Sequence, residues 1–144
     1  MEILARVLLT LTVVGYALIT IVADFNKTHA TNPRWTPHAR FHVVWQVLSY
    51  VGVGLVAIYL IWVEGPNSGE RLYLAAALSI AIYGSFFAAV AARPTFGGAL
   101  HDDNEYGLLK KPVGSGCWRW DTNVSVFTFF LTIALGGVLA VFAS

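Results

Sequence analysis

Residues able to move protons are concentrated between the first two apolar runs of the chain, in the segment 24–42. This segment holds three of the four histidines, one carboxylate, two asparagines and a tryptophan. Histidine titrates near neutral pH, and a nearby carboxylate can orient its ring for general acid–base chemistry. We therefore expect a proton-transfer site here, with Asp24 and either His42 or His38 as the catalytic acid/base pair.

Polar residues four positions apart share one face of a helix, and two such stripes point toward this segment. Thr12, Tyr16, Thr20 and Asp24 form the first stripe, and His38, His42 and Gln46 form the second if a helix begins near Pro37. The two stripes predict a polar pocket between the helices. Its expected binding and orienting residues are Asn26, His29, Asn32, Trp35, Arg40, Gln46, Tyr16, His101 and Asp102.

Other chemistries remain open for the same residues. The pair His38 and His42 with His29 and His101 could hold zinc or iron, but the spacing supplies only half of a metal motif, so we expect no metal and no other cofactor. Trp35 could line a cavity and stabilise a carbocation with its ring face, or belong to an interfacial belt. Arginines such as Arg40 could hold a phosphate or carboxylate headgroup, or bind bilayer lipid.

The elements that must position these residues are membrane helices. The chain is 57% hydrophobic and 12% charged, about half the charge usual for a soluble domain. Roughly 20 apolar residues cross a bilayer as a helix, and four runs reach that length. The sequence thus predicts an all-α integral membrane protein, a single domain over 1–144 that forms a four-transmembrane-helix bundle. The predicted spans are 3–23, 43–63, 72–92 and 124–142.

Four spans put the first and third links on one face of the membrane and the short second link on the other. The first face carries seven bases against two on the opposite face: Lys27, Arg34, Arg40, Arg93, Lys110, Lys111 and Arg119 against Arg6 and Arg71. By the positive-inside rule, the histidine-rich face is expected in the cytoplasm, with both termini outside. The first and third links should together form a polar cap, which brings His101 and Asp102 toward the segment 24–42.

The composition of the chain also limits which classes of binding partner are expected. A formal net charge of +1 gives no reason to expect nucleic acid. A membrane site instead suggests a lipophilic small molecule and membrane lipid. Glycines in the second and fourth runs (Gly52, Gly54, Gly136 and Gly137) favour close helix packing and could also mediate oligomerisation.

The segment 24–42 reads D-x-N-x-T-H-x-x-N-P-x-W-x-x-H-A-R-F-H over its 19 residues. It resembles the signature of a family of small four-helix membrane proteins of fungi and bacteria, some of whose members carry an acetyltransferase label. The resemblance implies a shared polar core and no particular reaction: Asp24, Asn26, His29, Asn32, Trp35, His38, Arg40 and His42. The layout is also similar to the sterol-isomerase (emopamil-binding) fold, in which histidine and acid residues shuttle protons in the membrane.

Two functions from different classes follow. The first is an integral membrane enzyme that isomerises, cyclises or opens an epoxide of an isoprenoid or lipid-like substrate by His/Asp acid–base chemistry. The second is a non-catalytic membrane subunit or carrier that binds a ligand, proton or lipid headgroup at the histidine-rich face. An enzyme requires a closed cavity from Asp24 and His42 toward Gln46 and Tyr16. A subunit requires an exposed apolar side face.

Overall fold

The computed structural model describes residues 1–100 and 121–143, and this part of the chain is helical throughout its four main elements. They are α1 (Glu2–Asp24), α2 (Pro37–Trp62), α3 (Ser68–Phe96) and α4 (Thr122–Phe142). Each of the four is long and apolar enough to cross a membrane. For the described residues, the prediction of an all-α fold with four such helices is confirmed.

The second helix begins six residues before the predicted span 43–63, at Pro37. Thr36 is its N-cap, and its side chain accepts a hydrogen bond from the Ala39 N–H at 3.2 Å. Proline suits the first helical turn because its missing N–H would have no helical partner there. The span was set by apolar residues alone, whereas the cap sets the helix start, so the polar first turns of α2 belong to the helix.

The third helix also extends beyond its predicted span 72–92 at both ends. It continues through Pro94 to Phe96, so residues 93–96 belong to α3 and not to the third link. The stop is made by Gly97, whose φ of 67° lies in the left-handed region that glycine adopts without a Cβ clash. The Gly98 N–H then bonds the Arg93 carbonyl at 3.1 Å, which satisfies a carbonyl at the helix end.

The fourth helix begins at Thr122, two residues before its predicted span 124–142. Asp121 is the N-cap, and its carboxylate accepts from the backbone N–H groups of Asn123 at 2.8 Å and Val124 at 3.3 Å. A carboxylate at this position also complements the positive end of the helix dipole. Asp121 therefore fixes the residue at which α4 begins.

Within the described residues, α1 contacts the other three helices, while α2 and α4 lie on opposite sides of the α1–α3 pair. Small residues permit the close approaches. A Cβ on Gly54 would lie 2.9 Å from the Ala17 Cβ, and one on Gly137 would lie 2.9 Å from Leu9 Cδ2. A Cβ on Gly52 would meet nothing within 4 Å. Only one glycine of each predicted pair therefore packs tightly against a neighbouring helix, since Gly136 also has ordinary room.

The outer surface of the helices is largely apolar, as a lipid-facing surface would be. Large aliphatic side chains such as Leu18, Leu55 and Leu139 are more than half exposed. Arg6, the one charged residue inside a predicted span, is satisfied locally, because its guanidinium contacts the Glu2 carboxylate and the Ile61 carbonyl. This arrangement places the hydrophobic surface around the bundle and leaves the polar chemistry to the ends of the helices.

Candidate functional site

Two asparagines fold the link between α1 and α2, residues 25–36, into an ordered series of turns. Asn26 donates to the carbonyls of Val22 and Ala23 at 2.9 and 2.8 Å, which caps the end of α1, and it accepts from the Thr28 N–H at 2.7 Å. Asn32 is fully buried, donates to the Thr28 carbonyl and accepts from the Arg34 N–H, both at 3.0 Å. Such side chains mimic backbone turn bonds, so the two predicted orienting residues hold the link's backbone.

These turns bring His29 to the end of α1, beside Asp24. The His29 Nδ1 lies 3.6 Å from the Asp24 Oδ1, and the side chains are 40% and 20% exposed. The same nitrogen lies 2.6 Å from the Thr28 hydroxyl, and the Trp35 ring packs edge-on at 5.2 Å between ring centres. A distance of 3.6 Å is longer than a direct hydrogen bond, so a shift of under 1 Å would join the imidazole and the carboxylate.

The contact between the helices that carry the two predicted stripes is made by Tyr50, a residue outside the predicted site. Tyr50 continues the series His38, His42, Gln46 by one more step of four. Its ring packs edge-on against Tyr16 of α1 at 6.3 Å, and its hydroxyl accepts from the Gln46 amide at 3.3 Å. Extending the four-residue spacing by one turn would have identified it.

Tyr16 itself lies in the buried core of the bundle. It is 1% exposed, and its ring packs edge-on against Tyr83 at 6.0 Å. Tyr83 donates its hydroxyl to the Thr12 carbonyl at 2.8 Å, which ties α3 to α1. Within residues 1–100 and 121–143 the Tyr16 hydroxyl makes no hydrogen bond of acceptable geometry. Tyr16 thus belongs to the core between α1, α2 and α3.

The predicted pair His38 and His42 lies on the outer face of the first turns of α2. Both side chains are exposed, and their Nε2 atoms are 3.0 Å apart. The rings of Phe41 and Trp45 flank His42 at 6.0 and 5.8 Å. Gln46 is exposed as well. The pairing of Asp24 with either histidine stays a prediction, since the contact that the structure gives Asp24 is with His29.

A surface cavity of about 660 Å³ lies elsewhere, at the end of α3. Its lining residues are Val90, Ala91, Arg93, Pro94, Gly97 and Gly98. It is open and mostly apolar. The predicted pocket from Asp24 and His42 toward Gln46 and Tyr16 therefore stays a prediction. The expected residues His101 and Asp102 lie outside the described residues.

Arg40 is half-buried on α2, and its N–H bonds the Thr36 carbonyl at 3.1 Å in the first helical turn. Among residues 1–100 and 121–143, no group of three or more His, Cys, Asp or Glu residues is placed to hold a metal ion. No family model, curated protein or solved structure matches this chain.

Proposed function

We propose that this protein is an integral membrane enzyme that transfers protons to and from a lipophilic substrate, isoprenoid or lipid-like. Asp24 and His29 are its acid/base pair. The observation that supports this choice is the 3.6 Å approach of the His29 Nδ1 to a carboxylate that is only 20% exposed. A carboxylate beside an imidazole is the usual pair for moving a proton near neutral pH.

The residues around the pair fit this role. The Thr28 hydroxyl, at 2.6 Å from the His29 Nδ1, fixes the ring and leaves Nε2 for the substrate. The edge-on contact of Trp35 at 5.2 Å restricts the same ring from another side. Asn26 and Asn32 hold the backbone that carries both. A held ring keeps its proton donor in one direction, which is what proton transfer in the transition state requires.

Isomerisation is the simplest reaction for such a pair. His29 in its protonated form gives a proton to one carbon of a double bond, which leaves a cation on the other carbon. The Asp24 carboxylate takes a proton from the carbon next to that cation, so the double bond moves by one position. No outside oxidant or reductant is needed. Cyclisation and epoxide opening start with the same proton donation. A substrate dissolved in the bilayer can reach the end of α1 along the apolar outer surface.

The site is proposed to face the cytoplasm. Seven of the nine lysines and arginines lie in the first and third links or at the adjoining helix ends, against Arg6 and Arg71 at the other end of the bundle. An excess of lysine and arginine is typical of cytoplasmic loops. Both termini would then lie outside. Arg40 would contact an anionic substrate group or a lipid headgroup on the cytoplasmic side.

The test uses isotopically labelled water, because proton transfer to carbon introduces the solvent isotope into the lipid. The labelled product can then be found although the identity of the substrate is unknown. Purified protein in lipid nanodiscs is incubated with extracted membrane lipids and an isoprenoid panel in heavy water containing ¹⁸O, and mass spectrometry measures label. General acid–base groups contribute about 10²- to 10⁴-fold to rate. We expect Asp24→Asn and His29→Gln each to lower labelling at least about 100-fold.

Glu64→Gln is the matched control, because Glu64 is an exposed acid in the link between α2 and α3. It should label as the parent does. Full labelling by Asp24→Asn would refute the assignment. Loss of labelling in His42→Gln but not in His29→Gln would give the proton-donor role to His42, in agreement with the pair predicted from the sequence.

The second candidate is a non-catalytic subunit or carrier that binds a ligand or headgroup at the histidine-rich face. The exposure of His38, His42 and Gln46 favours it, because a binding face needs no enclosure. In that case no lipid gains isotope from solvent, while an unlabelled ligand stays bound through purification. The isotope experiment therefore separates the two candidates.

A further inference from the structure

The histidines at the start of α2 have a geometry that the acid/base pair does not use. His38 and His42 stand four residues apart on one face of a helix, and their Nε2 atoms approach to 3.0 Å. Both are exposed. Two imidazole nitrogens at this distance either share a proton or share a metal ion, and the ring positions distinguish the two.

A straight N–H···N bond would align the rings end to end, with their centres about 5.3 Å apart. The observed centres are 4.5 Å apart and the ring planes are inclined at 84°. At least one of the two rings is therefore tilted away from the line that joins the nitrogens. Such bending is expected when two lone pairs converge on a third atom.

The nitrogen separation also fits an ion. With metal–nitrogen bonds of about 2.0–2.1 Å, two nitrogens 3.0 Å apart subtend an angle of about 94° at the metal. Adjacent positions of a square-planar or octahedral ion subtend about 90°, and tetrahedral positions about 109°. The separation thus favours Cu²⁺ or Ni²⁺ over Zn²⁺, and copper is the tightest-binding of the three by the general affinity order.

Solvated ions can reach this position. The 26 residues of α2 span about 39 Å, whereas the hydrocarbon core of a bilayer is about 30 Å thick. The surplus can place the first turns of α2 in the headgroup region. Arg40 lies between the two histidines in sequence but two residues from each, and residues two apart do not face each other on a helix. The helix dipole opposes a cation within the first turn, where His38 lies, and its effect is weaker in the second turn, where His42 lies.

We infer that His38 and His42 form a two-histidine site for a divalent late transition-metal ion, with a preference for Cu²⁺. The remaining coordination positions are left to water or to an anionic group of a ligand. The metal site and the proposed catalytic pair are independent, because the metal site uses neither Asp24 nor His29.

The experiment titrates CuCl₂, NiCl₂ and ZnCl₂ into protein without a polyhistidine tag, in phosphatidylcholine nanodiscs. Calorimetry measures affinity, and electron paramagnetic resonance counts the nitrogens bound to Cu²⁺. We expect one Cu²⁺ with two equatorial nitrogens and the order Cu²⁺ > Ni²⁺ > Zn²⁺. Either His38→Gln or His42→Gln should weaken Cu²⁺ binding about 100-fold, because the second ligand on the same scaffold acts at high effective concentration.

Two controls make the result specific. His29→Gln removes a histidine from the same end of the bundle and should leave Cu²⁺ affinity unchanged. Arg40→His combined with His42→Gln keeps four histidines but moves the pair to a two-residue spacing, and it should bind as weakly as His42→Gln.

Several results would overturn the inference. They are a Cu²⁺ affinity of His38→Gln or His42→Gln equal to that of the unaltered protein, an equal loss in His29→Gln, and retained affinity in Arg40→His combined with His42→Gln. The resonance spectrum of the unaltered protein is a test that requires no variant to fold, since one or four bound nitrogens would exclude a two-histidine site.

Discussion

Replacing Asn32 with alanine removes two hydrogen bonds at once from the middle of the link between α1 and α2. The side chain is fully buried, and the change leaves the Thr28 carbonyl and the Arg34 N–H without it. An unsatisfied buried polar group costs about 1–3 kcal/mol. Two such groups, partly reached by water, give a loss of about 2–4 kcal/mol in the stability of the link.

Asn26→Ala is the matched comparison, because it removes the same side chain from the same link. Asn26 makes three hydrogen bonds where Asn32 makes two, but its bonds to the Val22 and Ala23 carbonyls are exposed. Water can replace exposed bonds, so the cost should be about 0.5–1.5 kcal/mol. The residue with fewer bonds is therefore expected to matter more, because burial and not bond number decides the cost.

Amide hydrogen exchange measured by mass spectrometry on the peptide 25–36 reports this local stability. The protected amides include those of His29, Thr31 and Trp35, which bond to carbonyls within the link. Since 1.36 kcal/mol is a factor of ten in an equilibrium constant, Asn32→Ala should speed the exchange of these amides about 30- to 900-fold. If the free energy of opening the link is smaller than the loss caused by the substitution, these amides should exchange at the unprotected rate. Exchange in Asn26→Ala as fast as or faster than in Asn32→Ala would refute the reasoning.

Two further predictions concern the bundle. Gly54→Ala should destabilise the protein by about 1–3 kcal/mol, because the added Cβ would lie 2.9 Å from the Ala17 Cβ. Gly52→Ala, whose Cβ meets nothing within 4 Å, should be neutral or stabilising. Reversible unfolding in mixed micelles measures the stability of both variants, and equal effects would contradict the packing of Gly54 against Ala17. Tyr83→Phe should cost about 0.6–2 kcal/mol by removing the 2.8 Å bond to the Thr12 carbonyl. Tyr59→Phe, at an exposed position, is its control in the same unfolding assay, and equal losses would contradict a role for that bond.

The helices could be read from the sequence because each is a long apolar run. The residues at which the helices begin and end were harder to predict from the apolar runs. Capping side chains and left-handed glycines set the ends of α2 and α3, and these lie outside the apolar runs. Thr36 and Asp121 show that local capping rules can recover an end when a polar residue with the right side chain precedes the helix.

The candidate site was predictable as a segment but not as a set of contacts. The four-residue spacing correctly predicted that His38 and His42 share a helical face. It gave no information about His29, since residue spacing in a link has no fixed direction. The turns built by Asn26 and Asn32 decide that His29 approaches Asp24.

The sequence by itself determined that four apolar helices form and that ionisable residues gather beside them, because hydrophobic runs and residue types are local properties. Tertiary structure alone decided which polar residues meet. It buried Tyr16 against Tyr50 and Tyr83, and it left the histidines of α2 outside. The reason is that the rotation of each helix about its own axis is fixed by packing. Small contacts such as Gly54 against Ala17 determine that rotation, and no local pattern encodes it.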